Sequence, residues 1–369
     1  MNYSTTWGTS LYLIESPPIS FSNSTLRQIV HISSSGEKIR IKLSNQNGKS
    51  DLEINSIKIA NSISQGTGEI DETSNTPILF GNKENITISA GCEVYSDIFS
   101  YPLNALSEVA ISIYFGKVPN EYTGHEASMT NSFIEEGNKV NNALISTKNK
   151  IAHYYFISII ETISQTKKDA IVCFGDSITD GVGSTNDRHN RYPDLLSTKL
   201  RLNKDTSDIS VVNEGITSTR VTEHGIERYT HDVLNIKGVK YIIMLYGVND
   251  INWLNSKSDE VISCYKKIIG LAHEKKLFIY GCTVLPYGNN EIWTKEREMV
   301  RKEVNDWIRN TKVEDGGFDY VFDFDKYVKD PNDETKLYKE YDSGDGIHPG
   351  PQGYMRMVQA IDDLSLFSK

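Results

Sequence analysis

The chain has 369 residues, 38% hydrophobic and 24% charged, which is long for one domain, suits two, and can bury a large core. A formal net charge of −10 and a pI of about 5.4 argue against a nucleic-acid or anionic-membrane partner, because phosphate binding wants clustered Lys and Arg. No apolar run approaches the length of a membrane span, and no two of the cysteines Cys92, Cys173, Cys264 and Cys282 are spaced as a zinc or redox pair.

Residues 1–165 read as a β-rich accessory domain. The opening ten residues lack the basic and apolar regions of a secretory leader. Residues 38–44 alternate strictly between polar and apolar side chains, as a half-buried strand does. Residues 52–60 carry Leu52, Ile54, Ile57 and Ile59, and the change of phase predicts a bulge or turn. Further strands are expected over 84–90, 92–101 and 108–115, and a last one over 153–160. Gly, Asn, Ser and Pro clusters separate them. Short strands at this spacing predict a β-sandwich. The polar stretch 165–169 is the expected link, so a second domain spans 166–369.

The second domain opens with an apolar run, Ala170 to Phe174, closed by Gly175, with Ser177 at the tip of the polar turn that follows. Ser177 could cap a helix there. It could also be a nucleophile whose turn offers backbone N–H groups to negative charge. A helix over 191–202 follows, with Pro193 in its first turn. The short strand 211–215 ends at Gly215, and a helical stretch covers 222–235. The strand 241–246 ends in Gly247-Val248-Asn249-Asp250. An amphipathic helix over 261–275, a strand over 277–284, a helix over 295–310 and a strand over 320–324 complete the alternation. That alternation predicts a parallel sheet, with the ligand crevice outside the carboxyl ends of its strands. Ser177, Gly215 and Asn249 would then converge on one rim, where a glycine N–H and an asparagine amide can serve a developing oxyanion. Near the carboxyl end, Asp345 precedes His348 by three residues in a Gly/Pro-rich turn. A serine nucleophile needs such a base and an acid to orient it. Trp253, Tyr287 and Trp293 lie just past strand ends, either stacking on substrate or packing under loops. Arg220 either touches substrate or forms a rim salt bridge.

The four blocks Gly175-Asp176-Ser177, Gly215, Gly247-Val248-Asn249-Asp250 and Asp345-Gly346-Ile347-His348 resemble those of the SGNH hydrolases, also called the GDSL esterase/lipase family. The resemblance covers roughly residues 166–369. It implies a flavodoxin-like three-layer α/β/α domain, with Ser177 as nucleophile, His348 as base and Asp345 as its partner. It also implies that Ser177 N–H, Gly215 N–H and Asn249 hold the oxyanion. The elbow G-x-S-x-G is absent, which argues against the α/β-hydrolase fold. Relatives often have Gly-Asn-Arg where this chain has Ser218-Thr219-Arg220. Thr6-Trp7-Gly8-Thr9-Ser10 and the run 21–28 are similar to a two-domain subgroup of bacterial arylesterases and xylan-associated acetylesterases, in which a jelly-roll-like sandwich precedes the catalytic domain.

The expected activity is hydrolysis of small O-acyl esters, O-acetyl on carbohydrate foremost, through an acyl-enzyme. A lysophospholipase or thioesterase on the same fold is the alternative, and a non-catalytic carbohydrate-binding protein a further one. The sandwich would either buttress its neighbour or bind sugar. No cofactor or catalytic metal is expected: in the family pattern Asp176 and Asp250 serve hydrogen bonding, and Gly181-Val182-Gly183 lacks the third glycine of a dinucleotide loop. Free thiols and the missing leader place the expected location in the cytoplasm. The expected partner is a small-molecule or oligosaccharide ester, with no nucleic acid and no membrane.

Overall fold

A computed structural model describes residues 1–15 and 17–368. The chain divides into two compact units, Met1–Lys168 with Asn186–His189, and Asp169–Thr185 with Asn190–Lys369. The division lies between residues 168 and 169, three residues past the expected boundary after 165. The short segment joins the first unit because its own bonds lie there: Asp187 N–H donates to Met129 O at 2.9 Å, and Asp187 Oδ1 accepts from Asn131 N–H at 2.7 Å.

Among the described residues the first unit has fifteen strands. They are β1 (Asn2–Gly8), β2 (Tyr12–Ile14), β3 (Ser24–His31), β4 (Gly36–Ser44) and β5 (Leu52–Asn61), then β6 (Thr76–Pro77), β7 (Ile86–Ile88), β8 (Glu93–Tyr95), β9 (Phe99–Leu103) and β10 (Glu108–Phe115). After these come β11 (Tyr122–His125), β12 (Ser132–Glu136), β13 (Lys150–Ile151), β14 (Tyr154–Tyr155) and β15 (Ile157–Ser164). One antiparallel sheet has the order β1-β15-β4-β8, with β9 also on β4; another has the order β13-β12-β3-β10-β5-β6, with β7 on β5. Alternation puts Ile39, Ile41 and Leu43 of the first sheet in one core with Ile57, Ile59, Ile111 and Ile113 of the second, which is a sandwich.

The phase change in 52–60 is a bulge: Ser56 pairs with Tyr114 and Ile54 with Phe115, so Asn55 is the extra residue. Two expected strands are each broken in two. Within 92–101 the chain turns at Ser96, whose N–H donates to Ile41 O at 2.8 Å and whose hydroxyl accepts from Ile41 N–H at 3.0 Å. Within 153–160 it turns at Phe156, which has φ 62, so β14 pairs with β11 while β15 pairs with β1 and β4.

The second unit carries five parallel strands, β16 (Ala170–Gly175), β17 (Ser210–Gly215), β18 (Val239–Leu245), β19 (Phe278–Cys282) and β20 (Tyr320–Phe322), in the order β17-β16-β18-β19-β20. This is the 2-1-3-4-5 order of flavodoxin-like sheets, whose crevice opens between the first and third strands. Every residue of β16 is buried, as a strand covered on both faces must be. Its helices are α1 (Ser177–Asp180), α2 (Tyr192–Arg201), α3 (Ile226–Tyr229), α4 (Val248–Trp253), α5 (Ser258–Glu274), α6 (Lys295–Asn310), α7 (Phe324–Val328) and α8 (Pro351–Gln359). Helices α2, α7 and α8 pack as one group; α3, α5 and α6 pack as another.

The expected helix over 222–235 is α3 flanked by two π turns, closed by Gly225 N–H to Arg220 O and Asn235 N–H to Thr230 O. The last strand stops at Phe322 rather than 324, because Asp323 caps α7 by accepting from Lys326 N–H. Cys173 and Cys282 are free and buried, as their apolar surroundings predict. Among the described residues no helix is long and apolar enough to cross a membrane.

Candidate active site

The turn after β16 decides what Ser177 does. Asp176 is extended, and its Oδ1 accepts from Ile178 N–H at 3.1 Å, so Asp176 is the cap and Ser177 the first residue of α1. Relieved of capping, the Ser177 hydroxyl meets His348 Nε2 at 2.8 Å. Glycines at the strand ends let these elements close up. Gly215 pairs with Gly175 in the sheet, and a Cβ on Gly215 would lie 2.7 Å from Asp180 Cα.

His348 comes from a turn that its own acids shape. Asp342 Oδ1 accepts from Gly344 N–H at 2.8 Å and Gly346 N–H at 3.0 Å. Gly346 holds φ 77 with its Cα face against the Asn289–Asn290 backbone, where a side chain has no room. Asp345 Oδ1 accepts from the N–H groups of Ile347 and His348 at 3.0 and 2.8 Å. Its Oδ2 meets His348 Nδ1 at 2.6 Å. Ser177, His348 and Asp345 thus form one hydrogen-bonded line. Burial pushes the Asp345 carboxyl up, but the His348 ring and the two N–H donors outweigh it and hold the group well below the usual carboxylate range.

Asn249 stands in the first turn of α4, and its Nδ2 donates to Thr219 O at 3.0 Å. Asp250 beside it is fully buried; its oxygens accept from Val221 N–H at 3.0 Å, Thr222 N–H at 2.9 Å and Thr222 Oγ1 at 2.7 Å. Gly215 reaches the same rim, but its N–H donates to Asn213 Oδ1 at 3.0 Å, so at rest the expected oxyanion donor is engaged. Ser218, where relatives often have glycine, is exposed with φ 65. Asp176 is buried, its Oδ2 has no donor among the described residues, and burial pushes its carboxyl up to about 7 against the opposing pull of Ile178 N–H and His348.

The residues expected to touch substrate part ways. Trp253 is 61% exposed and offers a free ring face. Tyr287 is 0% exposed, so it packs within the fold and has no face for a sugar. Trp293 is half-buried, with Nε1 3.5 Å from Glu298 Oε2. Arg220 forms a rim ion pair with Glu223 at 2.7 Å. A groove of about 570 Å³ is lined by Thr222, Glu223, Leu254, Ser256, Asp259 and Lys267 among others, and Ser177, Asn249 and His348 are not part of its lining. Thr222 links the groove to Asp250, and through it to Asn249.

Sequence reasoning missed Arg228 and Asn213. Arg228 is a largely buried cation in α3, its side chain 11% exposed: Nη2 donates to Gly175 O at 2.9 Å, Glu214 O at 2.8 Å and Tyr246 Oη at 2.7 Å, and Nη1 pairs with Asp232 at 2.9 Å. One Arg on a helix carries no such signal. Asn213 was visible only as a polar residue inside an apolar run.

Residues 173–356 match the GDSL-like lipase/acylhydrolase family. The second unit belongs to that family. It is an SGNH-type, ester-cleaving hydrolase. Among solved structures, the chain is similar to a G-D-S-L-family lipolytic protein from Desulfitobacterium hafniense, at 22% identity over 53% of this chain and 98% of that one, with a TM-score of 0.43. It is also similar to a GDSL-like lipase from Bacteroides thetaiotaomicron, at 18% identity over 54% and 89%, TM-score 0.41. An acetylxylan esterase from Geobacillus stearothermophilus matches at 18% identity over 52% and 92%, TM-score 0.42. A search of curated proteins finds no match.

Proposed function

We propose that the GDSL-like unit hydrolyses small O-acyl esters, with Ser177 as nucleophile, His348 as base and Asp345 as the group that orients the base. The line from Asp345 Oδ2 through His348 to Ser177 Oγ, at 2.6 and 2.8 Å, carries this reading. With Nδ1–H donated to Asp345, Nε2 is the basic nitrogen and takes the Ser177 proton as Oγ attacks the ester carbonyl. The tetrahedral oxyanion is met by Ser177 N–H and by the second amide hydrogen of Asn249, the first being bound to Thr219. Gly215 N–H joins only as a donor shared with Asn213. The imidazolium, stabilised by an Asp345 held ionised, protonates the leaving alcohol. Water then repeats the sequence on the acyl-enzyme.

The leading substrate class is an O-acetylated carbohydrate. The resemblance of the amino-terminal segments to the two-domain acetylesterases supports it. Rates on acetyl, butyryl and octanoyl nitrophenyl esters, with fluorophosphonate labelling of wild type and Ser177→Ala, test the proposal. The expected result is acetyl preference, one label at Ser177, and no turnover by a folded Ser177→Ala. Full activity in that variant would end the serine reading; an octanoyl preference would end the acetyl one.

A further inference from the structure

Four amides lie in series behind Ser177, each accepting at its carbonyl and the first three donating onward at their N–H groups. Arg228 Nη2 donates to Glu214 O at 2.8 Å, and the same peptide's N–H, that of Gly215, donates to Asn213 Oδ1 at 3.0 Å. Asn213 Nδ2 donates to Thr179 O at 2.9 Å. That peptide's N–H, on Asp180, donates to Asp176 O at 2.9 Å. The Asp176 carbonyl shares its plane with Ser177 N–H, which makes no hydrogen bond of its own among the described residues. A largely buried cation stands at the head of the series and the open N–H at its tail. Hydrogen bonds in a chain polarise one another, by roughly 10–30% per bond, when all run the same way.

A second arm leaves the same guanidinium. Arg228 donates to Tyr246 Oη at 2.7 Å, which lies 3.1 Å from Thr219 Oγ1. Thr219 Oγ1 donates to Ile216 O, and Thr219 O receives Asn249 Nδ2. The first arm of Arg228 therefore ends at the Ser177 peptide, and the second ends on Thr219, the residue whose carbonyl holds Asn249. Its charge is kept by Asp232 on one side and by the Phe174 ring, 4.4 Å from the guanidinium carbon, on the other.

We infer that Arg228 is a positioning residue of the oxyanion hole, acting through the amide chain Glu214–Gly215, Asn213, Thr179–Asp180 and Asp176–Ser177 to orient and strengthen the Ser177 N–H donor. The inference rests on the serine-esterase reading. Arg228 also ties the ends of β16 and β17 together, so its removal alone cannot separate orientation from stability. Asn213 can: it interrupts the chain in the middle and leaves every Arg228 bond in place.

The experiment compares wild type, Asn213→Ala, Arg228→Lys and the double variant on p-nitrophenyl acetate, with kcat, KM and thermal midpoint from one preparation. Each single variant should lower kcat about tenfold with KM nearly unchanged, a fraction of the roughly 10²–10³ lost with a direct donor. The double variant should be no slower than the slower single, because both cut one chain. An unchanged or raised kcat in folded Asn213→Ala overturns the inference, whether or not Arg228→Lys folds; so do losses that multiply in the double variant. Failure of the esterase reading looks different: wild type without turnover, or Ser177→Ala as active as wild type, removes both together.

Discussion

Asn249 shows how one side chain can be fixed and still available. One amide hydrogen is bound to Thr219 O at 3.0 Å, in a buried position, and in the proposed mechanism the other is left for an oxygen that becomes charged only in the transition state. Asn249→Ala should therefore lower kcat by roughly 10²–10³ with little change in KM. A near-normal kcat with a large fall in thermal midpoint would instead make Asn249 a loop tie. Asp176 makes a prediction of a different kind. Its folded pKa is raised to about 7, so the stability it contributes is full below the ordinary carboxylate value of about 4 and is lost as pH rises through 7. Asparagine caps a helix as well as aspartate does and carries no charge to bury. Asp176→Asn should thus gain in thermal midpoint relative to wild type between pH 5 and pH 8. A difference that does not vary with pH would show that the carboxyl does not ionise in that range.

At the scale of elements, the working part is the junction of β16, β17 and the single turn of α1. The close approach of Gly215 to the Asp180 backbone leaves no space for a methyl group. Gly215→Ala should push α1 away from β17, costing about 1–3 kcal/mol by overpacking and slowing turnover as Ser177 shifts against His348. Unaltered kcat and midpoint in this variant would mean the turn is slack. The extents of such elements were largely legible in the sequence. Residues 295–310 and 108–115 fall where periodicity puts them, since an amphipathic pattern is a local property. The breaks at Ser96 and Phe156 were not legible, because each is made by a partner strand that the chain reaches only on folding. The π turns around α3 were hidden for a similar reason: helical periodicity reads alike for i→i+4 and i→i+5 bonding.

At the scale of the whole molecule, two acidic side chains near the site, Asp250 and Asp345, are already committed. Asp250 accepts three bonds from Val221 and Thr222, and Asp345 uses both oxygens on His348 and Ile347. Activity should accordingly survive EDTA; a loss restored by one specific ion would turn these carboxylates into ligands. The sequence by itself determined the two-part organisation, the parallel α/β character of the second unit, and the blocks around Ser177, Gly215, Asn249 and His348. Those follow from local pattern and from residue types set at strand ends. Tertiary structure alone decided the rest. The sheet order β17-β16-β18 opens the crevice between the strands that end before Ser177 and Asn249. It seated Tyr287 in the packing while leaving Trp253 in solvent, and it engaged Gly215 N–H with Asn213. It also brought Arg228 under three strand ends. The reason is physical: burial and hydrogen-bond partnership belong to pairs of groups far apart in the chain, and only folding brings such pairs together.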